Sequence, residues 1–250
     1  MGDKLFLFLA LAGILLVVAG CMIVTNPATK RKDIILIDDA QEVEIGRQVA
    51  AKVEKRYQVS RDPKLNSWVK EIGQRLAAVS ERKNLEFEFK VLERKEINAF
   101  ALPGGFIYVN KGLLAMVDDD SELAGVLGHE IGHITARHGI KKLQNQIGYS
   151  LLISILFKNN DTTRRIIDTA FTLISLGYSR EDEFEADKLS VIYTYKAGYN
   201  PEGMVKFLQK LKQMEKREPL EIETFLSTHP PTSERIKRIK EEIARMIGKK

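Results

Sequence analysis

The sequence predicts an α+β fold, predominantly helical, with one small β-sheet confined to its first half. Three observations carry that expectation. Apolar residues recur at three- and four-residue intervals on either side of a short central stretch, the spacing of amphipathic helices. Within that stretch, residues 85–109 alternate apolar with polar or run apolar around a Pro-Gly-Gly turn. From Asp118 onward no strand pattern returns. The 250 residues, 44% of them apolar, suffice for one compact domain with a real core.

In chain order, Val43, Ile45, Val49, Ala50 and Val53 mark a first helix across residues 38–57. Asp62-Pro63 starts a second, because proline at the first helical position forfeits no hydrogen bond. Leu65, Trp68, Val69, Ile72, Leu76 and Val79 form its buried stripe, which assigns Trp68 to packing. Leu85, Phe87, Phe89 and Val91 then alternate with Glu86, Glu88 and Lys90, the period of a half-exposed strand. Two more strands, 99–102 and 106–109, flank the turn Pro103-Gly104-Gly105. Asp119 and Glu122 have capping-box spacing and open a helix that contains His129. Later, apolar segments 147–157 and 166–176 flank a polar insert; each is too short to span a bilayer, and both are expected to be buried helices, the alternative being a membrane-facing hairpin.

A net charge of +5 comes from 39 basic residues interleaved with 34 acidic ones, a scatter that argues against nucleic acid as a partner. The single cysteine, Cys21, excludes an internal disulfide. Before it, Lys4 precedes an apolar run, and Val18-Ala19-Gly20-Cys21 resembles the lipobox of bacterial lipoproteins. The expectation is a signal peptide at 1–20, a lipidated tether at 21–37 anchored through Cys21, and a folded domain at 38–250 on the periplasmic side. The alternative is an uncleaved anchor, since residues 5–24 carry no charge and are about long enough to cross a membrane. Phe6 stands where a myristoylation motif wants Ser or Thr, which discards that modification.

The chemistry concentrates in His129-Glu130-Ile131-Gly132-His133. Histidines four apart on a helix lie one above the other and can reach the same ion, and nitrogen ligands of this kind suit zinc. Glu130 projects sideways, placed to act as general base on the water that an enzyme site keeps in its open position. A third ligand must come from elsewhere, and residues 181–187 are the obvious source. On a helix Glu183 and Asp187 share a face, but Glu181 and Glu185 are equally paired, so spacing leaves the choice open. His138, five residues past His133, is turned off the ligand face on a continuous helix. His229, before two prolines, is placed equally well as a site residue or as a turn histidine capping the next helix.

Five segments taken in order resemble the gluzincin metallopeptidases, the family of the CAAX prenyl protease, HtpX, OMA-type peptidases and the periplasmic β-barrel assembly-enhancing protease. They are residues 98–105, 129–133, 177–180, 183–187 and 227–231, and the resemblance runs from residue 38 to the C-terminus. It implies a zincin-type catalytic domain with one zinc ion per chain. It also implies Glu183 as third ligand, Asp187 as support for a ligating histidine, and polypeptide substrates added to a sheet edge at Asn98 and Ala99. His229 and Arg235 match a late His-Pro loop and the arginine six residues beyond it, as a fourth ligand or as transition-state donors. The implied activity is zinc-dependent hydrolysis of unfolded or misassembled envelope proteins; the rival is a zinc-binding, chaperone-like lipoprotein held closed by His229. Several-span membrane chambers and a C-terminal repeat domain, found in some relatives, are not expected here.

Overall fold

The computed structural model describes residues 23–25, 30, 32–156, 160–217, 222–230 and 232–248. The fold is α+β and predominantly helical, with a three-stranded mixed sheet and a separate two-stranded ribbon. The ribbon pairs β1 (Ile23–Thr25) with β2 (Lys32–Ile34) in antiparallel register. Helix α1 (Asp39–Arg56) starts in a full capping box: the Asp38 carboxylate accepts from the Gln41 amide at 2.8 Å and the Gln41 side chain accepts from the Asp38 amide at 3.0 Å. Helix α2 (Pro63–Ala78) is capped by Asp62, as its Asp-Pro start predicts. Its Trp68 packs partly buried against the core and donates to Asp120 at 2.7 Å.

Strands β3 (Glu88–Leu92), β4 (Ala99–Ala101) and β5 (Phe106–Asn110) form a sheet in the order β3-β5-β4. The central strand β5 runs parallel to β3 and antiparallel to β4. Covered on both faces, it is buried at all five residues, which is why its sequence shows an apolar run and no alternation. Strand β3 does alternate, though its ladder begins at Glu88 where the sequence pattern begins at Leu85. Between β4 and β5 the chain makes a 3-10 turn, Pro103–Gly105, closed by the Leu102 amide on the Phe106 carbonyl at 2.8 Å. Gly105 has φ +106°, and a Cβ there would stand 2.4 Å from the Glu86 carbonyl oxygen, so only glycine fits.

After α3 (Lys111–Met116) comes α4 (Asp120–Thr135), the axis of the molecule. Every residue from Glu122 to Thr135 is buried, and α4 packs against α2, β4, α7 (Arg180–Lys196) and α8 (Gly203–Arg217). Its start corrects the expected capping box. Asp119 does accept from the Glu122 amide, but the Glu122 side chain turns to the Asp118 amide and to Lys210. Helices α5 (His138–Leu156) and α6 (Asn160–Leu173) pack together, and α6 lies against α1. Ile166, Ile167 and Ala170 are buried with Val49, Val53 and Tyr108, as expected for the second apolar segment. Of the first segment, Ile147 packs partly buried and the side chains beyond it lie outside the described residues. Helices α9 (Glu223–Thr228) and α10 (Ser233–Ile247) complete the chain.

The tether boundary at residue 37 is also corrected. Ile35 and Ile37 are buried, Gln144 clamps the Leu36 amide and the Ile34 carbonyl, and Lys141 pairs with Asp33 at 2.7 Å. The packed domain therefore includes residues 32–37, because their apolar side chains have a groove between α1 and α5 to fill. The expected signal peptide and Cys21 lie outside the described residues. Among those described, no helix is long and apolar enough to cross a membrane.

Candidate metal centre

Two helix surfaces meet to make the site. On α4, His129 and His133 stand one turn apart and face α7. Helix α7 approaches closely because Gly128 and Gly132 lack side chains; a Cβ on Gly132 would meet the Ala186 carbonyl oxygen at 3.0 Å. The start of α7 is set by Ser179, whose hydroxyl accepts from the Asp182 amide while the Asp182 carboxylate accepts from the Ser179 amide. That cap places Glu183 in the first turn and Asp187 one turn on, both buried against α4. Burial resolves the choice that spacing left open: Glu181 is exposed, and Glu185 turns to His138.

The donor atoms converge. His133 Nε2 lies 3.0 Å from His129 Nε2 and 3.3 Å from Glu183 Oε1, and His129 Nε2 lies 3.5 Å from Glu183 Oε2. His229 joins them, with Nδ1 2.9 Å from Glu183 Oε1 and 3.3 Å from His129 Nε2. Four donors at zinc bond lengths of about 2.0–2.2 Å on a tetrahedron would stand roughly 3.3–3.6 Å apart. The proton inventory agrees. His129 Nδ1 is 2.9 Å from the Asp187 carboxylate, which fixes the ring proton there and leaves Nε2 as a bare lone pair aimed at the other donors. Lone pairs crowded at this distance repel unless a proton or a metal cation lies among them. The donor set thus fits a zinc ion, and Glu130 Oε2 beside it is buried with no protein hydrogen-bond partner among the described residues.

Electrostatics prepare the ligands. Burial opposes charge on Glu183, but His229, Arg235 and His129 outweigh it and hold its pKa well below the carboxylate range. Asp187 is likewise opposed by burial and held low by Arg235, whose Nε and Nη2 donate to its two oxygens at 2.7 Å each. Burial pushes His133 well below its ordinary value, keeping it in the neutral form that ligation needs. Burial also opposes charge on His129, but the Glu183 and Asp187 carboxylates prevail and raise it to about 9 among the protein groups alone.

The structure brings His129, Glu130, His133, Glu183, Asp187, His229 and Arg235 into one buried cluster. Arg235 is not aimed at an open cleft; it braces Asp187 and stands 2.7 Å from Glu183 Oε2. Asn98 and Ala99 lie at the edge of the sheet, β4 being paired only with β5 among the described strands, and both are buried. The Asn98 carbonyl, however, accepts from the Asn110 amide at 2.9 Å. By antiparallel alternation the outward main-chain groups belong to Ala99 and Ala101 and not to Asn98. Beside this edge is a cavity of about 490 Å³ lined by Asn98, Phe100, Phe171, Ser227 and Thr228.

Two residues near the ligands had no role in the sequence reading. Tyr178 stacks on His133, with ring centroids 4.0 Å apart. His138 sits directly behind His133. Its rotation off the ligand face assumed a continuous helix, but α4 ends at Thr135 and Arg137 takes φ +58°, which folds the chain back and returns His138 to the site. No local sequence signal marks that reversal, since Arg137 is neither glycine nor asparagine.

Residues 63–243 match the model of peptidase family M48. The chain belongs to peptidase family M48. As an M48 member it is a metallopeptidase, and the buried His-His-Glu-His cluster lies within the matched region. It is 31% identical over 189 residues to a putative β-barrel assembly-enhancing protease of Vibrio cholerae, an alignment covering 71% of this chain and 39% of the relative. It is 29% identical to the mitochondrial metalloendopeptidase OMA1 of Schizosaccharomyces pombe, covering 70% of this chain and 52% of the relative. With the metalloprotease YcaL of Escherichia coli it shares 26% identity over 83% of this chain and 82% of the relative. The chain spans about two fifths of the length of the β-barrel assembly-enhancing proteases it matches.

Proposed function

We propose that this M48 chain is a zinc-dependent endopeptidase of the bacterial envelope that hydrolyses unfolded or misassembled proteins. The observation that carries the reading is the convergence of His129, His133, Glu183 and His229 donor atoms at 2.9 to 3.5 Å, with Glu130 beside them. His129, His133 and Glu183 are the ligands. When bound, zinc supplies Lewis-acid polarisation of the scissile carbonyl and an acidified water. Glu130 takes the proton of the attacking water and returns it to the leaving amine. Asp187 holds the tautomer of His129, and Arg235 holds Asp187 charged. His229 would hold a bound zinc as a fourth ligand in a resting arrangement, and the His-Pro loop would have to withdraw for turnover.

The substrate adds as an extended strand to the outer edge of β4, through the main chain of Ala99 and Ala101. Main-chain pairing selects for unfolded backbone over any one side chain. The envelope placement draws on the lipobox-like segment ending at Cys21, taken as the lipid-bearing anchor, and on relatives named for β-barrel assembly.

The Glu130→Gln variant tests the reading. It should bind one zinc per chain while casein cleavage falls at least about a hundredfold, the contribution of a positioned general base. Retention of the wild-type rate refutes the assignment. A second reading, a latent zinc-binding lipoprotein that holds clients without cutting them, is favoured by the placement of His229 among the donors. It predicts full zinc occupancy with no casein cleavage by the wild type.

A further inference from the structure

We infer that His138 is a positioning residue for His133, carrying a hydrogen-bond chain from that imidazole to the carboxylates of Glu185 and Asp182. The inference rests on the reading that His129, His133 and Glu183 hold zinc. His138 has a fully buried side chain, with Nδ1 2.9 Å from His133 Nδ1. Its Nε2 lies 3.0 Å from Glu185 Oε2 and 3.3 Å from Asp182 Oδ1.

Proton counting fixes the direction of the chain. A neutral imidazole carries one N–H. With His133 Nε2 given to the metal, its proton is on Nδ1 and must be donated to His138 Nδ1. That nitrogen is then an acceptor, so the proton of His138 is on Nε2 and is donated to Glu185, with Asp182 adjacent. Each ring nitrogen thus has one role, and the chain ends on anions that can hold the last N–H. Together with Tyr178 stacked 4.0 Å away, His138 fixes the His133 ring both in its plane and on its face. The two ligand histidines are consequently supported differently: His129 donates straight to a carboxylate, while His133 reaches its carboxylates through a second imidazole.

His138, Asp182 and Glu185 also have the make-up of a small cation site, with donor atoms within 4.8 Å of one another. The same counting argues against that use. A cation on His138 Nε2 would move the ring proton to Nδ1, face to face with the His133 N–H across 2.9 Å.

The test is zinc affinity by chelator competition on the full chain, with zinc stoichiometry, the visible spectrum of the cobalt-substituted protein, and zinc-free melting. His138→Phe should bind zinc about ten- to a hundredfold more weakly, the usual effect of losing an outer partner of a ligating histidine, and should shift the cobalt spectrum. His138→Asn places an amide oxygen where Nδ1 was and should recover most of the affinity and the wild-type spectrum. Wild-type affinity in His138→Phe overturns the inference, as does an Asn variant that binds as weakly as the Phe variant while melting like the wild type. Two zinc ions per wild-type chain, falling to one in His138→Phe, assign the cluster to a second cation and overturn it too. If His138→Phe does not fold, Glu185→Ala carries the test: a several-fold loss supports the chain and unchanged affinity overturns it. A wild type that binds no zinc overturns the ligand assignment itself, and the chain with it.

Discussion

Replacing Gly105 by alanine tests whether the Pro-Gly-Gly turn holds the sheet edge in place by close backbone contact. The added Cβ meets two obstacles. At φ +106° an alanine is held in a region costing about 1–3 kcal/mol. The Cβ also stands 2.4 Å from the Glu86 carbonyl oxygen, a backbone atom two residues before β3 that no side-chain rotation can move. Overpacking of this kind costs about 1–3 kcal/mol more. Against these, alanine restricts the unfolded chain and returns about 0.4–1 kcal/mol. The balance is a loss of roughly 1–6 kcal/mol, against a total of about 5–15 kcal/mol for a domain. Urea denaturation of the wild type and Gly105→Ala measures it. Because the turn is closed by Leu102 on Phe106, at the end of β4, its opening should displace the edge strand. Casein KM should then rise more than kcat falls, with zinc still at one per chain. A variant within about 0.5 kcal/mol of wild type, the scatter of featureless surface substitutions, would refute the reasoning.

Two further outcomes follow from the geometry. His229→Ala removes one of four clustered donors and should raise casein cleavage on the order of tenfold, as expected if the open form is otherwise about a tenth populated; unchanged cleavage and zinc affinity would remove His229 from the site. Asp119→Ala deletes the N-cap of α4 and should cost about 1 kcal/mol at neutral pH. The Asp119 pKa is lowered chiefly by the Glu122 amide, so its contribution is complete above the unfolded value near 3.9 and is lost as pH falls through the lower folded value. Urea denaturation at pH 7 and near pH 3 should show the gap between variant and wild type narrowing in acid.

The parts of this fold legible in the sequence are those set by local periodicity and capping. Asp38, Asp62 and Asp119 each mark a helix start by accepting amides of the next turn, and of the α2 stripe Val69, Ile72 and Leu76 are buried while Leu65, Trp68 and Val79 are partly so. The pairing of His129 with His133 follows from helix geometry alone. Glu183 was separable from Glu181 only by which face of α7 meets α4, a tertiary fact that spacing does not contain. The N-terminal boundary was misplaced for a similar reason. Ile35 and Ile37 look like the end of a tether until α1 and α5 supply the groove that covers them. Glu42 is the sharpest case, a charged residue on α1 that is nonetheless buried. Its partners, Arg82 at 2.8 Å and Arg137 at 2.9 Å, come from after α2 and after α4. No pattern within one helix could have disclosed them.

That buried pairing bears on how the site is held. Arg82 donates to Glu42 and to the Ile134 carbonyl near the end of α4, while Glu42 also accepts from the Gly104 amide in the turn that follows β4. Arg137, the residue at the chain reversal, donates to the Ile37 carbonyl. One buried carboxylate therefore ties α1, the end of the ligand-bearing helix and the turn beside the sheet edge into a single unit. Ion pairs of this kind seldom stabilise a fold more than apolar packing of the same volume would. What they add is geometry: each partner has fixed donor directions, so the spacing between the ligands on α4 and the edge of β4 is set by hydrogen-bond lengths and not by adaptable side-chain packing. Under the proposed function, a strand laid along β4 and cleaved beside α4 would depend on that spacing; the buried charge reaches solvent on one side through Asp39, half-exposed and paired with both Arg82 and Arg137.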